Sequence, residues 1–302
     1  MLLTYTQAIV LGVLQGVTEL FPISSLGHSL IIPYLLGWDI SSNANFYLIF
    51  LVATHLATSI VLFFFYLKDW KLIIGGVFRS LRDREVREDD TYAKLGWLIV
   101  IATVPAGILG LLFEQKLQLL FSFPQYVASF LILNGFLLYG TEKLKKNAAR
   151  NGVIETGVPQ SSRDEKENDS QSDVRIARTS WRQSIKIGFA QSLALLPGFS
   201  RTGAAMAGGI LSGLDHEDSA RFSFLLATPI IFAAAVLKLP ELLVGNATVL
   251  VMPVLVGFIA SAIGAFFSVK FLTRYFKTNT LNPFALYCIL AGLLTLVVFF
   301  LR

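Results

Sequence analysis

The chain has 302 residues, of which 54% are hydrophobic and only 15% charged, and its mean hydropathy is +0.65. Soluble domains carry about 25% charge, so a soluble globular fold is excluded and an integral membrane protein is expected. The net charge of +5 would suit a nucleic acid, but its placement along the chain argues against one, and the single cysteine, Cys288, rules out a disulfide framework.

No basic stretch precedes the first apolar segment, so no cleaved signal peptide is expected. Residues 7–37 are apolar but interrupted by Pro22 and Gly27, which predicts two short helices joined by a polar turn. A spanning helix is predicted over 46–67, followed by a basic stretch from Lys68 to Lys94, then spans over 94–113 and 122–140. Residues 141–181 are polar, charged and nearly free of aromatics; they are expected to form a flexible, solvent-exposed cytoplasmic linker. A second broken segment, 183–213, is interrupted by Pro197, Gly198 and Gly203, and spans over 221–239, 248–271 and 284–301 complete the chain.

Most lysines and arginines fall in three clusters: 68–94, the linker through Arg182, and Lys270, Arg274 and Lys277. The positive-inside tendency places all three in the cytoplasm, which accounts for the net charge without a nucleic acid. Threading the spans between these clusters makes the two broken segments enter from opposite faces. Shifting the first by 176 positions superposes Gly12 on Gly188, Gln15 on Gln191, Leu20 on Leu196, Ser24 on Ser200, Gly27 on Gly203, Gly37 on Gly213 and Phe46 on Phe222. The fold class expected is therefore an all-α polytopic membrane protein with six spanning helices and two re-entrant broken-helix pairs in an inverted repeat. Residues 1–140 form the first repeat and 182–302 the second. Sites in such folds lie near the midplane, between the broken helices.

Charges within apolar segments are few: Glu19, Lys186 and Arg201. Such residues are costly and mark function or a partner; a Glu19–Arg201 ion pair that merely ties the halves together is the alternative, and Lys186 is expected to snorkel. Gln15 and Glu19 share a helix face and could hold a hard divalent cation, Mg²⁺ or Ca²⁺, with a phosphate ligand. In "LLPGFSRTGAAMAGG", Gly198, Ser200, Arg201, Thr202 and Gly203 combine a helix N-terminus with a guanidinium fork, a pattern suited to phosphate; the bland reading is a tight turn with a capped helix. Ser24, Ser25, Gly27 and His28 form the facing turn, with Ser25 a candidate nucleophile and His28 a candidate acid/base. His55 and His216 are read as hydrogen-bonded structural residues.

The motifs "QGVTE", "PISSLGH" and "PGFSR", with "ATVPAGILGLLFE" and "RFSFLLATPIIFAAAVLKL", resemble the undecaprenyl-diphosphate phosphatase, or bacitracin-resistance, family over nearly the whole chain outside the linker. Leu26, Thr202 and Ala205 depart from it, standing where a threonine, a serine and a threonine are usual. The resemblance implies removal of the terminal phosphate from the polyprenyl carrier, at the outer face of the plasma (inner) membrane, for cell-wall synthesis. It implies catalytic roles for Glu19, Ser25, His28 and Arg201, with Gln15, Ser24, Gly27, Gly198, Ser200, Thr202 and Gly203 around the substrate. Water or His28 as nucleophile is the mechanistic alternative, and a homo-oligomer is left open. The competing function is a secondary transporter or flippase for a lipid phosphate, which broken helices in inverted repeat fit as well. A structural scaffold would leave the buried charges without a reason.

Overall fold

The computed structural model describes residues 3–38, 44–120, 123–150, 165–243 and 251–301. Within them the chain forms twelve α-helices and no strand: α1 (Tyr5–Leu20), α2 (Ser25–Leu36), α3 (Ala44–Phe65), α4 (Leu67–Asp83), α5 (Thr91–Leu120), α6 (Pro124–Arg150), α7 (Glu165–Ala177), α8 (Trp181–Ser192), α9 (Arg201–Leu211), α10 (His216–Leu243), α11 (Val251–Tyr275) and α12 (Asn282–Leu301).

Among the described residues, five stretches are long and apolar enough to cross a membrane: Phe46–Phe65, Thr91–Phe113, His216–Lys238, Met252–Tyr275 and Asn282–Leu301. These correspond to five of the six predicted spans. The sixth, 122–140, lies in α6, which has the length but not the apolarity. It carries Asn134 at its centre, fully buried, and that polar residue works inside the protein rather than against lipid.

Both broken segments are interrupted, α1–α2 at residues 21–24 and α8–α9 at 193–200, where a 3₁₀ turn (Leu193–Leu195) begins the break. Gly27, predicted to break the segment together with Pro22, instead lies in the first turn of α2. Residues related by the 176-residue shift do equivalent work. Thr4 and Ser180 each cap their helix in a reciprocal capping box with Gln7 and Gln183. Ser24 and Ser200 accept from the N–H of Gly27 and Gly203. Gly37 and Gly213 lie near the two hairpin ends at φ 66° and 100°, a conformation that favours glycine.

Each hairpin fastens to the other half of the chain. A Cβ on Gly12 would come within 2.4 Å of Gly257 O on α11, and one on Gly188 within 2.5 Å of Ala102 O on α5. Such close backbone approach is how helices associate in a medium that gives no hydrophobic drive.

One end of the bundle collects the basic segments. There the Arg79 guanidinium holds Asp90, and Lys94 sits 5.0 Å over the Trp181 ring. Gln183 in the first turn of α8 donates to Ser212 O at the end of α9 (2.7 Å), so that hairpin opens at this end. His216 bridges Glu142 and Lys145, while Glu142 accepts from Leu281 N–H. The first hairpin instead closes against the starts of α3 and α11, where Leu3, Trp38, Phe46, Tyr47 and Val254 share a cluster.

The linker expectation needs correction. Residues 151–164 lie outside the described residues, but α6 runs to Arg150, and α7 is docked rather than loose. Ser172 and Asp173 are about 1% exposed. Arg175 makes a two-pronged contact with Asp218 (2.6 and 2.7 Å) and Asp173 with Arg221 (2.8 and 3.1 Å). A polar composition hid a polar interface. The basic stretch after α3 likewise contains a helix, α4, which buries Trp70, Ile73 and Gly76; a Cβ on Gly76 would meet Ala93 N of α5 at 2.4 Å.

Candidate active site

The two interruptions meet. A Cβ placed on Gly27 would come 3.3 Å from the Cα of Gly198, and one on Gly203 3.2 Å from Pro22 Cβ. Gly198 itself sits at φ 113° with Val127 O only 2.3 Å from a would-be Cβ, so no other residue fits there without displacing the chain. Thr202 Oγ1 donates to Glu19 O (3.0 Å) and Ser200 Oγ to Phe21 O (3.4 Å). Thr202, one of the departures from the family pattern, thus places its hydroxyl on the turn it faces.

Asn134 locks this junction. Its Nδ2 donates to Pro22 O in the first turn (3.0 Å), and its Oδ1 accepts from Ser200 N–H in the second (3.1 Å). Cys288 lies beside it, its Sγ 3.3 Å from Asn134 Nδ2. Cys288 is therefore the small buried residue that its apolar surroundings predict.

At the centre stands the Glu19 carboxylate, 5% exposed. Oε2 accepts from Ser25 Oγ (2.5 Å) and Gln15 Nε2 (2.9 Å), and Oε1 pairs with Arg201 Nη2 at 3.5 Å. A buried carboxylate needs such compensation. Arg201 does not spend its whole fork on Glu19: Nη1 is buried without a hydrogen-bond partner. Ser24, next to the nucleophile candidate, holds a positive φ of 69°. Strain at a non-glycine residue marks a position that the surroundings fix.

His55, expected to be a hydrogen-bonded structural residue, makes its contacts within this cluster. Its Nε2 lies 3.2 Å from Glu19 Oε2 and its Nδ1 2.7 Å from Leu51 O. The carbonyl can only accept, so Nδ1 donates to it and Nε2 is the ring atom that faces Glu19. His28 does not join. It lies one turn beyond Ser25, with Nδ1 donating to Ser24 O (2.7 Å) and Nε2 2.7 Å from the Tyr287 hydroxyl, and its ring stacks on that of Tyr287. Its place is to hold the Ser24 carbonyl and reach the α12 surface. His216, bonded to Glu142 and Lys145 at the basic end, is remote from the site. Sequence gives His55 away only through its chemistry: a histidine in an apolar span demands a partner.

The fit of a divalent cation can be tested on the donor set. Among the described residues no three of His, Cys, Asp and Glu converge. Glu19 supplies one carboxylate, already shared with Arg201 and His55, and Gln15 Oε1 is buried with no partner. This suits an ion that takes one or two protein oxygens and completes its shell with phosphate and water, as Mg²⁺ does, and does not suit an all-protein cage.

The model for the bacitracin resistance protein BacA family matches residues 8–294. The chain belongs to that family. Over 306 aligned residues it is 46% identical to proteins named undecaprenyl-diphosphatase from Mycolicibacterium paratuberculosis and from Mycobacterium avium, each alignment covering 99% of this chain and 99% of the relative. It is 40% identical over 339 residues to undecaprenyl-diphosphatase 2 of Frankia alni, at 98% coverage of both chains. The resemblance carried by "QGVTE", "PISSLGH" and "PGFSR" therefore extends from end to end. These motifs supply the Glu19, Ser25 and Arg201 that the fold assembles into one cluster.

Proposed function

We propose that the protein hydrolyses undecaprenyl diphosphate to undecaprenyl phosphate and phosphate, recycling the lipid carrier of cell-wall synthesis. The observation that carries this reading is the Glu19 carboxylate with Ser25 Oγ on one oxygen and Arg201 on the other, held between two helix N-termini inside an apolar bundle. A nucleophile, a base and a phosphate clamp stand together there.

The chemistry follows from those contacts. The Ser25 hydroxyl already points its proton at Glu19 Oε2. Glu19 takes that proton as Ser25 Oγ attacks the terminal phosphorus, and the bond from that phosphorus to the bridging oxygen breaks. The electron pair leaves with the undecaprenyl phosphate. Glu19 passes that proton to the departing undecaprenyl phosphate; water then attacks the phosphoserine and gives a proton to Glu19, which returns it to Ser25 Oγ as the phosphorus–serine bond breaks and phosphate leaves. Arg201, through its unpartnered Nη1, and the N–H groups opening α2 and α9 counter the charge on the transferring oxygens. His55 and Gln15 hold the carboxylate in place, and Ser24, Ser200 and Thr202 set the two turns. His28 supports the Ser24 carbonyl and is assigned no proton transfer. A divalent cation on Glu19 and Gln15 Oε1 would supply further charge neutralisation on the diphosphate.

The same reading takes the two hairpins as re-entrant pairs in inverted repeat, with α6 as a sixth span. Support comes from the opening of α8–α9 at the basic end and of α1–α2 against the starts of α3 and α11. On the positive-inside rule the basic end is cytoplasmic, and the substrate enters from the outer face of the plasma membrane, its polyprenyl tail lying along the helices. Phosphate release by purified protein in detergent tests the proposal, because hydrolysis, unlike transport, needs no sealed membrane. Turnover that disappears in Ser25→Ala and Glu19→Gln is the expected result. No release by a folded wild-type protein, with or without Mg²⁺ or Ca²⁺, overturns it.

A further inference from the structure

The turn between α1 and α2 is braced from α12 at two adjacent residues. Cys288 touches its beginning, with Sγ 3.8 Å from Pro22 O and 3.3 Å from Asn134 Nδ2. Tyr287 reaches its end through His28. The His28 ring is buried, its Nδ1 2.7 Å from Ser24 O and its Nε2 2.7 Å from the Tyr287 hydroxyl. The two rings stack, with centroids 5.6 Å apart and planes 13° from parallel. A carbonyl can only accept, so Nδ1 donates to Ser24 O, and in the neutral ring Nε2 is the acceptor that the Tyr287 hydroxyl fills.

Ser24 O and Ser25 N belong to one peptide plane. That plane is held in an unusual place, since Ser24 has φ 69° and ψ 97°, and such a conformation persists at a non-glycine residue only where the surroundings fix it. Two donors fix the Ser24 carbonyl: the His28 backbone N–H (3.2 Å) and His28 Nδ1. The first comes with the helix. The second depends on how the ring is turned and which nitrogen carries its proton. A ring with nothing on its far nitrogen could flip or change tautomer, and either would release the carbonyl. Any tilt of the plane then carries Ser25 Oγ away from Glu19 Oε2, which it now meets at 2.5 Å. Tyr287 closes both routes, the tautomer by its hydroxyl and the flip by its stacked face.

We propose that Tyr287 is a positioning residue for the hydrolysis: its hydroxyl keeps His28 on the Ser24 carbonyl and thereby keeps Ser25 on Glu19. The inference rests on the reading of Ser25 as nucleophile. It makes α12, from the second half of the chain, a support for the nucleophile carried by the first.

Tyr287→Phe removes the hydroxyl and keeps the ring, at a residue 44% exposed, so the variant should keep its fold. In phosphate release by the full-length protein in detergent, kcat should fall about three- to ten-fold, the worth of one hydrogen bond. KM and the unfolding midpoint should stay where they are. The same substitution in a His28→Ala background should cost nothing further. Wild-type kcat in Tyr287→Phe, a change confined to KM, or an equal loss in the His28→Ala background overturns the proposal. A second measurement needs no turnover. The chain has three histidines, and His28→Gln identifies the His28 ring-nitrogen signals by NMR of protein with isotope-labelled histidine. The Nε2 signal should move in Tyr287→Phe; unmoved signals overturn the proposal even where the wild type hydrolyses. A folded wild type that releases no phosphate overturns the phosphatase reading itself, and with it any role of Tyr287 in turnover.

Discussion

Asn134→Ala tests whether the two turns are held in register by one side chain. Asn134 is fully buried and satisfies Pro22 O and Ser200 N–H at once. Alanine removes both partners and leaves a carbonyl and an amide stranded in the interior. Each stranded group costs about 1–3 kcal/mol, so a loss of roughly 2–6 kcal/mol is expected, far above the few tenths typical of a lipid-facing change. Catalysis should fall too, because Ser200 caps the helix that begins with Arg201, and a shift of about 1 Å at a reacting group costs about 100-fold. Unfolding in detergent followed by tryptophan fluorescence gives the first number, and phosphate release by the residual folded protein gives the second. A variant within about 0.5 kcal/mol of wild type and with full turnover would refute the idea that Asn134 joins the turns.

Arg201→Lys keeps the charge but not the fork, and should lose about 100-fold or more in phosphate release with its unfolding midpoint little changed; near-normal turnover would reduce Arg201 to a counter-ion for Glu19. His55→Gln can still donate to Glu19 and should keep more activity than His55→Ala, a difference that vanishes if the ring only fills space. Deleting 151–164 should spare hydrolysis, whereas extending the deletion to Ala177 strips Asp218 and Arg221 of Arg175 and Asp173 and should destabilise the protein; equal stability of the two deletions would contradict the docking of α7. Burial alone would raise the Glu142 carboxyl, but the His216 hydrogen bond, the Leu281 N–H and the nearby charges hold it below its ordinary 4.5. Its contribution is therefore present above pH 4.5 and lost as pH falls through the lower folded value, so Glu142→Gln should flatten the acid side of the stability profile.

The two turns were legible because their chemistry is local. Glu19, Ser25 and Arg201 stand in short motifs, and the 176-residue shift pairs residues that the fold does use alike, down to the Thr4 and Ser180 caps. Asn134 was not legible, since a lone asparagine 112 residues from Pro22 has no spacing that announces its partner. That His55, and not His28, touches the Glu19 carboxylate was hidden for a related reason. The motif places His28 one turn after Ser25, but only packing decides which imidazole reaches the carboxylate. The α7 segment was misread because composition reports how much apolar surface a stretch can bury, and this one docks through Asp173, Arg175 and Ser172 instead. The sixth span fell short for the same residue that joins the turns: Asn134 lowers the apolarity of α6 while anchoring the site.

The exchange of partners between halves bears on how the protein is made. Gly12 and Gly16 of α1 lie against Gly257 and Ser261 of α11, so α1 leaves the ribosome about 240 residues before its seat is built. Until α11 emerges, Glu19 sits on a hairpin with no wall behind it, and the α8–α9 hairpin that brings Arg201 is also late. Truncation before residue 251 should therefore yield an inserted chain whose first hairpin is readily cut by protease. Nascent chains would carry no half-formed hydrolase, and activity would arrive in a single step once α11 is in place.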